Sequence, residues 1–425
     1  MQQSLRNQLS HPNRSRNTAK KTRLNRRPES RKIAWMEELE TRQMRSVSDD
    51  SADLTIFGAQ AGQRSGVAIV ASGNNLIVGA YLTDVGWAAD AGAVNIYDAT
   101  SGALLNTLIK TTPTQSDLFG QALAAASDGA ILVGAPLDNL GATHTGAVYL
   151  YDADGTLRGV FANPTPAMGD QFGSAVAFVG NDFVLIGAKG DDTYAHDGGA
   201  AYLFDRNTAQ LIATYYNPSP SASEYFGNTV GALGDDIVIG SYYDDMGGFA
   251  RNGAVYVFAA GANGATNSPR LTIANPTPAI DDHFGISLAT YGNQILVGCD
   301  GEDRGAIDAG AAYLFDGTDG TLLRAFYNPA PALSDKFGNS VALDGHRALV
   351  GAQADDYAIL NSGSAYLFDI ESGLLTEEFH NPLAGLGDNF GSAVSFLASG
   401  NVVIGAAGDD SGLLDSGSVD VFVVS

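Results

Sequence analysis

Residues 172–192 read FGSAVAFVGNDFVLIGAKGDD, and this stretch decides the fold. It contains two short apolar runs that are separated by Gly-Asn-Asp and followed by Gly-Ala and a pair of aspartates. Apolar runs rich in Val, Ile and Phe, broken by Gly, Asn and Asp, are typical of β-strands joined by tight turns. The 52 glycines among 425 residues also disfavour a helical protein. The sequence therefore predicts an all-β chain.

The same pattern recurs along the chain at intervals of 53 to 58 residues. Phe-Gly pairs begin at Phe119, Phe172, Phe226, Phe284, Phe337 and Phe390. A β-branched residue followed by glycine recurs at Gly79, Gly134, Gly187, Gly240, Gly298, Gly351 and Gly405. A fixed period of this length indicates a repeat architecture, here with seven units. The first unit has Arg64-Ser65 in place of Phe-Gly, and residues 259–269, AAGANGATNSP, are predicted to be a loop insertion.

Each unit contains four short apolar segments, which in the third unit are FGSAVAFV, FVLIGA, GAAYLFD and QLIATYYN. Four antiparallel strands form one blade, and blades packed face to face around an axis bury the apolar faces that a single sheet would expose. The chain ends with GSVDVFVVS, a third strand without a fourth, whereas residues 53–59, DLTIFGA, belong to no blade. We therefore expect a seven-bladed β-propeller of four-stranded antiparallel blades, closed by an N-terminal strand that completes the last blade.

The six phenylalanines of the Phe-Gly pairs have a structural role in this prediction. The first strand of each blade lies nearest the axis, where only small side chains such as Gly173, Ser174 and Ala175 fit. The phenylalanine is the one large side chain there, so we expect it to be buried between adjacent blades.

The charge of the chain is unevenly distributed. Residues 1–47 contain twelve of the 23 Lys and Arg but only four of the 47 Asp and Glu, so this segment carries +8 and the remainder −32. We expect residues 1–52 to be a basic, disordered leader or export region and residues 53–425 to be the propeller. The acidic propeller is not expected to bind nucleic acid. No apolar run is long enough to span a membrane, and no ordinary signal peptide is seen.

The repeated Phe-Gly, followed about fourteen residues later by Gly-Ala, resembles the FG-GAP repeat of the integrin α-subunit head propeller and of many bacterial extracellular proteins. The resemblance covers residues 53–425 and implies a secreted or cell-surface location and a role in adhesion or protein interaction. Integrin-type repeats carry a calcium loop, D-x-D-x-D-G-x-x-D, between the first two strands. The corresponding intervals here, such as VGND and LGDD, are too short for it, so this calcium site is not implied.

Acidic residues are instead predicted on the opposite face of the propeller. The loop between the second and third strands carries one aspartate per blade, namely Asp84, Asp138, Asp192, Asp245, Asp303, Asp356 and Asp410. Such residues often hold tight turns by accepting backbone N–H groups. The alternative is that carboxylates of some blades bind Ca²⁺, which prefers oxygen ligands. The candidate metal ligands are Asp191, Asp192, Asp197, Asp303, Asp308, Asp409, Asp410 and Asp415.

Two classes of function remain open. The first is an exported adhesion or protein-interaction module that presents an acidic face, with calcium as an optional aid. The second is a lectin whose face-loop aromatics stack on cell-surface glycans; the candidates are Trp87, Tyr194, Tyr242, Tyr243, Phe249 and Tyr357. No catalytic motif is found, so we expect no enzyme activity, no catalytic residue and no cofactor other than calcium. We expect the propeller to be monomeric.

Overall fold

The computed structural model describes residues 51–259 and 264–424. Its strands form seven sheets, each with four strands in antiparallel order, and one sheet has a fifth strand. Among the described residues the only helix is a 3₁₀ turn, Met246–Gly248. The predicted all-β propeller of seven blades is therefore confirmed.

Within each blade the strands are named inner, second, third and outer. The inner strands of blades 1 to 7 are β2 (Ile69–Ser72), β6 (Ala122–Ala125), β10 (Phe172–Val179), β14 (Thr229–Leu233), β19 (Phe284–Tyr291), β23 (Phe337–Leu343) and β27 (Phe390–Phe396). The second strands are β3 (Asn75–Ala80), β7 (Ile131–Ala135), β11 (Phe183–Ala188), β15 (Asp236–Ser241), β20 (Gln294–Cys299), β24 (Arg347–Ala352) and β28 (Val402–Ala406).

The third strands are β4 (Ala93–Asp98), β8 (Ala147–Tyr151), β12 (Ala200–Asp205), β16 (Ala254–Phe258), β21 (Ala311–Asp316), β25 (Ser364–Asp369) and β29 (Ser418–Phe422). The outer strands are β5 (Leu104–Leu108), β9 (Leu157–Ala162), β13 (Leu211–Tyr216), β18 (Leu271–Ala274), β22 (Leu322–Tyr327), β26 (Leu375–His380) and, in blade 7, β1 (Leu54–Phe57).

The N-terminal strand closes the ring as predicted. Strand β1 pairs antiparallel with β29, so that Leu54 lies opposite Val421 and Phe57 lies opposite Ser418. The inner strand of every blade contacts the inner strands of both neighbouring blades, including β2 with β27. The circle of inner strands is therefore complete.

Apolar side chains form seven clusters, and each cluster lies between two adjacent blades. Six of them contain one phenylalanine of a Phe-Gly pair, and all six of these side chains are fully buried. Phe172, for example, packs against Tyr202 and Phe204 of its own blade with ring centroids 5.7 and 6.0 Å apart. The six phenylalanines therefore lie buried between adjacent blades.

Two glycines show why the repeat excludes larger residues beside the phenylalanine. Gly146 has a φ of 87°, and a Cβ atom at this position would lie 2.0 Å from the carbonyl oxygen of Phe172. A Cβ atom on Gly187 would lie 2.0 Å from the carbonyl oxygen of Gly227 in the next blade. Adjacent blades approach so closely at these points that only glycine fits.

The insertion at residues 259–269 was predicted to be a loop, and its described part differs from that expectation. Gly264–Thr266 forms β17, which pairs in parallel with the outer strand β13 of blade 3. The insertion lies between the third and outer strands of blade 4, so it adds a backbone link between the outer edges of these two blades. The hairpins between inner and second strands are short, as in Val179–Phe183 and Leu233–Asp236.

Candidate functional site

The loops between second and third strands, here called blade loops, and the blade-to-blade crossovers form one face of the molecule. The crossover from blade 2 to blade 3 is hydrogen-bonded to the blade 2 loop, with Gly169 N–H donating to Thr143 O at 3.1 Å and Phe172 N–H to Thr145 O at 2.8 Å. The same ladder recurs at the other crossovers. Blade loops and crossovers therefore form one rigid surface, which we call the loop face.

Exposed acidic residues of the loop face hold the blade loops in shape. In each loop one Asp or Asn side chain accepts the N–H of a residue five or six positions later that has a φ near +50°. The pairs are Asp84–Asp90, Asn139–His144, Asp192–Asp197, Asp245–Arg251, Asp303–Asp308, Asp356–Asn361 and Asp410–Asp415. In blade 2 this position is Asn139 and not Asp138, which is buried. The contacts are those of turn-stabilising side chains.

The candidate metal ligands lie in two environments. Asp191 and Asp409 are buried, whereas the other six lie in the exposed parts of the loops of blades 3, 5 and 7. Ligand atoms of Asp192, Asp197 and His196 lie within 4.8 Å of one another. Within the described ranges no third His, Cys, Asp or Glu joins the corresponding pairs in blades 5 and 7. Calcium binding at these loops stays a prediction.

Asp191 and Asp409 belong to a second set of acids, at the joints between consecutive blades. At each of six joints, the acid two residues before the phenylalanine and an acid at the start of the next blade loop are both buried. The pairs are Asp117 and Asp138, Asp170 and Asp191, Glu224 and Asp244, Asp282 and Glu302, Asp335 and Asp355, and Asp388 and Asp409. Of these twelve acids, sequence analysis named Asp138, Asp191 and Asp409, and it did not separate them from the exposed ones.

Tyrosines of the third strands bind the second member of each pair. In blades 2 to 6 the tyrosine hydroxyl donates a hydrogen bond of 2.5 to 3.1 Å to the buried acid of the same blade loop. The donor–acceptor pairs are Tyr149–Asp138, Tyr202–Asp191, Tyr256–Asp244, Tyr313–Glu302 and Tyr366–Asp355. In blade 7 the hydroxyl of Ser418 donates to Asp409 at 2.6 Å. The alternating aromatic pattern of the third strand thus supplies a buried hydroxyl donor as well as apolar area.

The first member of each pair is bound by the residue that begins the crossover. At five joints this residue is an asparagine, whose Nδ2 donates to the crossover acid at 2.6 to 2.9 Å. The five are Asn163, Asn217, Asn275, Asn328 and Asn381. The joint between blades 1 and 2 has Lys110 instead, and its Nζ lies 3.0 Å from Asp117 and 2.7 Å from Asp138. At one joint a cation therefore contacts both carboxylates, whereas at five joints a neutral amide binds the crossover acid. Of these amides, that of Asn217 also donates to the second acid, Asp244, at 2.8 Å.

At the joints that contain an asparagine amide, the crossover carboxylates lack a cationic partner among the described residues, and three of them are not fully hydrogen-bonded. The buried Oδ1 atoms of Asp282, Asp335 and Asp388 have no hydrogen-bond partner. Burial raises the pKa of Asp170, Asp282 and Asp388 to about 6, and burial raises the pKa of Asp335 and Glu224 above the ordinary range. Nearby carboxylates, such as Asp191 beside Asp170, add to these shifts.

Two of the six candidate ligand-face aromatics are part of a packed cluster. Tyr242 and Tyr243 are half-buried, with ring centroids 4.3 Å apart, and both contact Tyr225 and His283. The guanidinium of Arg251 lies over the ring of Tyr243. These rings are largely covered by one another, so they offer less open area than expected.

The other four aromatics are exposed on the loop face. The exposed fractions are 83% for Trp87, 62% for Tyr194, 59% for Tyr357 and 40% for Phe249. Tyr357 stacks on His380 with ring centroids 3.4 Å apart. The four rings lie in the loops of blades 1, 3, 6 and 4, so the structure distributes them around the ring.

Sequence analysis missed the exposed aliphatic residues of the same face. Leu140, Ile307, Leu360 and Leu414 occupy the loops of blades 2, 5, 6 and 7 and are 42 to 68% exposed. Together with the exposed aromatics, every blade loop therefore places at least one large apolar side chain in solvent. The signal in the sequence was the presence of one to three large apolar residues within each Gly- and Asp-rich loop.

A family model described as FG-GAP repeat matches five stretches of the chain, residues 107–151, 165–204, 218–258, 277–315 and 331–368. Each match covers parts of one blade of the ring. The chain is an FG-GAP repeat propeller. No curated protein is similar enough in sequence to count as a match.

FG-GAP propellers are typically non-catalytic, and they are typical of extracellular proteins. The matched stretches begin near the end of one blade and extend through the third strand of the next. Each of them therefore contains one joint, with its phenylalanine and its acid pair. The described part of the chain contains no helix with the length and hydropathy of a membrane span.

Proposed function

We propose that this FG-GAP propeller is an extracellular protein-interaction module that binds a protein partner through its loop face. The observation that carries the proposal is the presence of an exposed large apolar side chain in every blade loop, next to exposed carboxylates. More specifically, we propose that the module mediates adhesion, with its partner on the surface of the same cell or of another cell.

Exposed apolar side chains gathered on one face favour binding because association removes their surface from water. The side chains of protein interfaces that contribute most to affinity are commonly large ones set within a polar rim. Here the rim is supplied by carboxylates such as Asp303 and Asp356, which are exposed. A partner surface with apolar and basic residues would match both features.

The backbone of the loop face supports the same function. Crossovers and blade loops are joined by hydrogen bonds such as Ser334 N–H to Ile307 O at 2.9 Å and Phe337 N–H to Ala309 O at 3.1 Å. Loops that are already ordered lose little conformational entropy when a partner binds. The face can therefore present its apolar side chains without a folding cost at binding.

Site-specific photocrosslinking on the full-length protein tests the proposal. A photoreactive side chain is placed at Leu140 or Ile307 on the loop face and, as matched controls, at Leu104 or Leu323 on outer strands, which are also exposed. We expect a cross-linked protein partner at the cell surface from the loop-face positions. Equal labelling from the outer strands, or no labelling from any loop-face position, would contradict the proposal.

The lectin alternative rests on the exposed rings of Trp87, Tyr194 and Tyr357, because sugar rings stack on open aromatic faces. A glycan array separates the alternatives. Selective glycan binding that is lost in Trp87→Ala or Tyr194→Ala would favour a lectin. A glycan array without binding, together with protein cross-links from the loop face, would favour protein interaction.

A further inference from the structure

The apolar side chains of the loop face are concentrated in blades 6 and 7. Six exposed aliphatic residues lie there, with exposed fractions of 42 to 68%: Ile359, Leu360, Leu383, Leu386, Leu413 and Leu414. We call this set the blade 6–7 patch. Each loop of blades 1 to 5 carries one large exposed apolar residue, whereas the loops of blades 6 and 7 carry three and two. Exposed apolar residues also occur singly in other crossovers, at Ile109, Met168, Ile280 and Leu333.

Backbone contacts show that the patch is continuous. Leu386 precedes Gly387, whose N–H donates to Leu360 O at 3.1 Å, so the crossover is joined to the loop of blade 6. The hydroxyl of Ser411 lies 3.5 Å from Leu383 O, so the same crossover also reaches the loop of blade 7. The segments that carry the six side chains are therefore joined to one another on the loop face.

The charges of the blade 6 and blade 7 loops are negative. Asp356 and Asp410 are exposed there, and Asp415 is half-buried. No lysine or arginine occurs after Arg347 in the sequence. Arg64, in the crossover that leaves blade 7, donates its backbone N–H to Asp415 O at 3.2 Å. A basic residue therefore lies beside Asp415, and Asp356 and Asp410 carry the exposed negative charge of these loops.

Blades 4 and 5 show the opposite arrangement. Arg251 forms an ion pair with Asp281 at 2.6 Å, and Lys336 lies 3.4 Å from Asp308. The acids of that part of the loop face are partly neutralised by the chain itself. The loops of blades 6 and 7 contain no Lys or Arg of their own beside the exposed Asp356 and Asp410, so the patch combines apolar area with exposed negative charge.

We propose that the blade 6–7 patch is the docking site of a partner segment that combines aliphatic side chains with lysine or arginine, such as one amphipathic, basic helix. This inference rests on the proposed function and locates it. Burial of the six aliphatic side chains supplies the driving force. The carboxylates of Asp356 and Asp410 attract the basic residues of the segment and exclude acidic ones.

The test uses the full-length protein and two synthetic 18-residue peptides, one an amphipathic helix of Leu and Lys and the other the same peptide with Glu in place of Lys. Binding is measured by fluorescence anisotropy at low and high salt. We expect the Leu/Lys peptide to bind and the Leu/Glu peptide not to bind. The affinity should fall at high salt, because salt screens the exposed carboxylates.

Three sets of substitutions locate the binding site. The variant Leu360→Ser/Leu386→Ser/Leu414→Ser should bind the Leu/Lys peptide at least about tenfold more weakly. Two matched controls should bind it as the natural protein does: Leu104→Ser/Leu105→Ser/Leu323→Ser on outer strands, and Ile109→Ser/Met168→Ser/Ile280→Ser in the crossovers between other blades. All nine positions are exposed, and thermal melts confirm that each variant is folded.

The charge of the patch is tested by Asp356→Asn/Asp410→Asn, because asparagine still accepts the loop N–H that each aspartate binds. This variant should weaken binding and reduce its salt dependence. Binding that is equal for both peptides, or equally weakened by the control variants, would overturn the inference. If the peptide test fails in this way and a protein partner cross-links from Leu140 in blade 2 or Ile307 in blade 5, the proposed function is retained. Only its location at the blade 6–7 patch is then rejected.

Discussion

The six joints between consecutive blades differ from the joint that closes the ring. At each of the six regular joints, one buried phenylalanine and two buried acids lie between the blades. At the closing joint Ser65 takes the place of the phenylalanine, and Gln63 and Thr83 take the places of the two acids. A Cβ atom on Gly417 would meet the backbone of Ser65 just as one on Gly363 would meet Phe390, which shows that the positions correspond.

The closing joint is stabilised by a different interaction. Its two blades are connected through β1, which is hydrogen-bonded to β29, and Thr55 donates a 2.5 Å hydrogen bond to the buried Asp420. Strand pairing joins the ends of the chain there. The crossover from β1 to blade 1 makes the same backbone ladder as the others, with Gly62 N–H donating to Leu414 O at 2.8 Å and Ser65 N–H to Ser416 O at 2.9 Å. The comparison therefore indicates that two blades can pack through a crossover without the phenylalanine and the acid pair.

The largest expected effect comes from removing the aromatic side chain of a regular joint. Phe337→Ala would leave a cavity between blades 5 and 6, where Phe337 packs against Tyr366 and Phe368. We expect a loss of about 3–5 kcal/mol in the free energy of unfolding, measured by denaturant titration. Ser65→Ala at the closing joint is the control and should change it by less than about 1 kcal/mol. Similar losses of unfolding free energy in the two variants would contradict the difference between the regular joints and the closing joint.

The second effect concerns the one regular joint that contains a cation. Lys110→Met would leave Asp117 and Asp138 buried without their ammonium partner, and we expect a loss of about 3–5 kcal/mol in the free energy of unfolding at pH 8. Lys110→Asn introduces the residue used by the other five joints and should cost less. If methionine and asparagine were equally tolerated, Lys110 would have no electrostatic role.

The smallest effect is a dependence on pH that arises from the buried carboxyls of the regular joints. The closing joint contributes in the same direction through Asp420, because burial raises the pKa of this carboxyl to about 7. Burial raises the pKa of Asp170, Asp282 and Asp388 from an ordinary value near 4 to about 6, so the folded protein binds more protons than the unfolded chain between these values. These groups therefore stabilise the fold below about pH 4 and lose that contribution as the pH rises to about 7.

The measurement is a thermal melt at pH 5.5 and pH 8, where we expect the higher melting temperature at pH 5.5. Asp282→Asn removes one of the titrating groups and should reduce the difference between the two melts. Exposed carboxylates with a lowered pKa, such as Asp205 and Asp369, act in the opposite direction but only below about pH 4. A melting temperature that rises from pH 5.5 to pH 8 would show that the joint carboxyls do not take up protons.

The sequence predicted the number of blades, their strands and the closure because all three depend on periodicity. Burial of six phenylalanines followed from the same repeat, since a large residue beside obligatory glycines must lie where blades meet. The roles of neighbouring acids could not be predicted. Asp191 and Asp192 are adjacent, yet one accepts a hydrogen bond from Tyr202 inside the joint and the other holds an exposed loop.

The sequence by itself determined the all-β repeat, the seven blades and the N-terminal strand that completes the seventh, because alternation and spacing act locally along the chain. Only the tertiary structure decided which acids are buried, that Lys110 contacts both carboxylates of one joint, and that leucines from separate loops lie on neighbouring hydrogen-bonded segments. These properties depend on contacts between residues tens of positions apart, such as Leu360 and Gly387. Such contacts arise when crossovers bring one blade loop against the next blade.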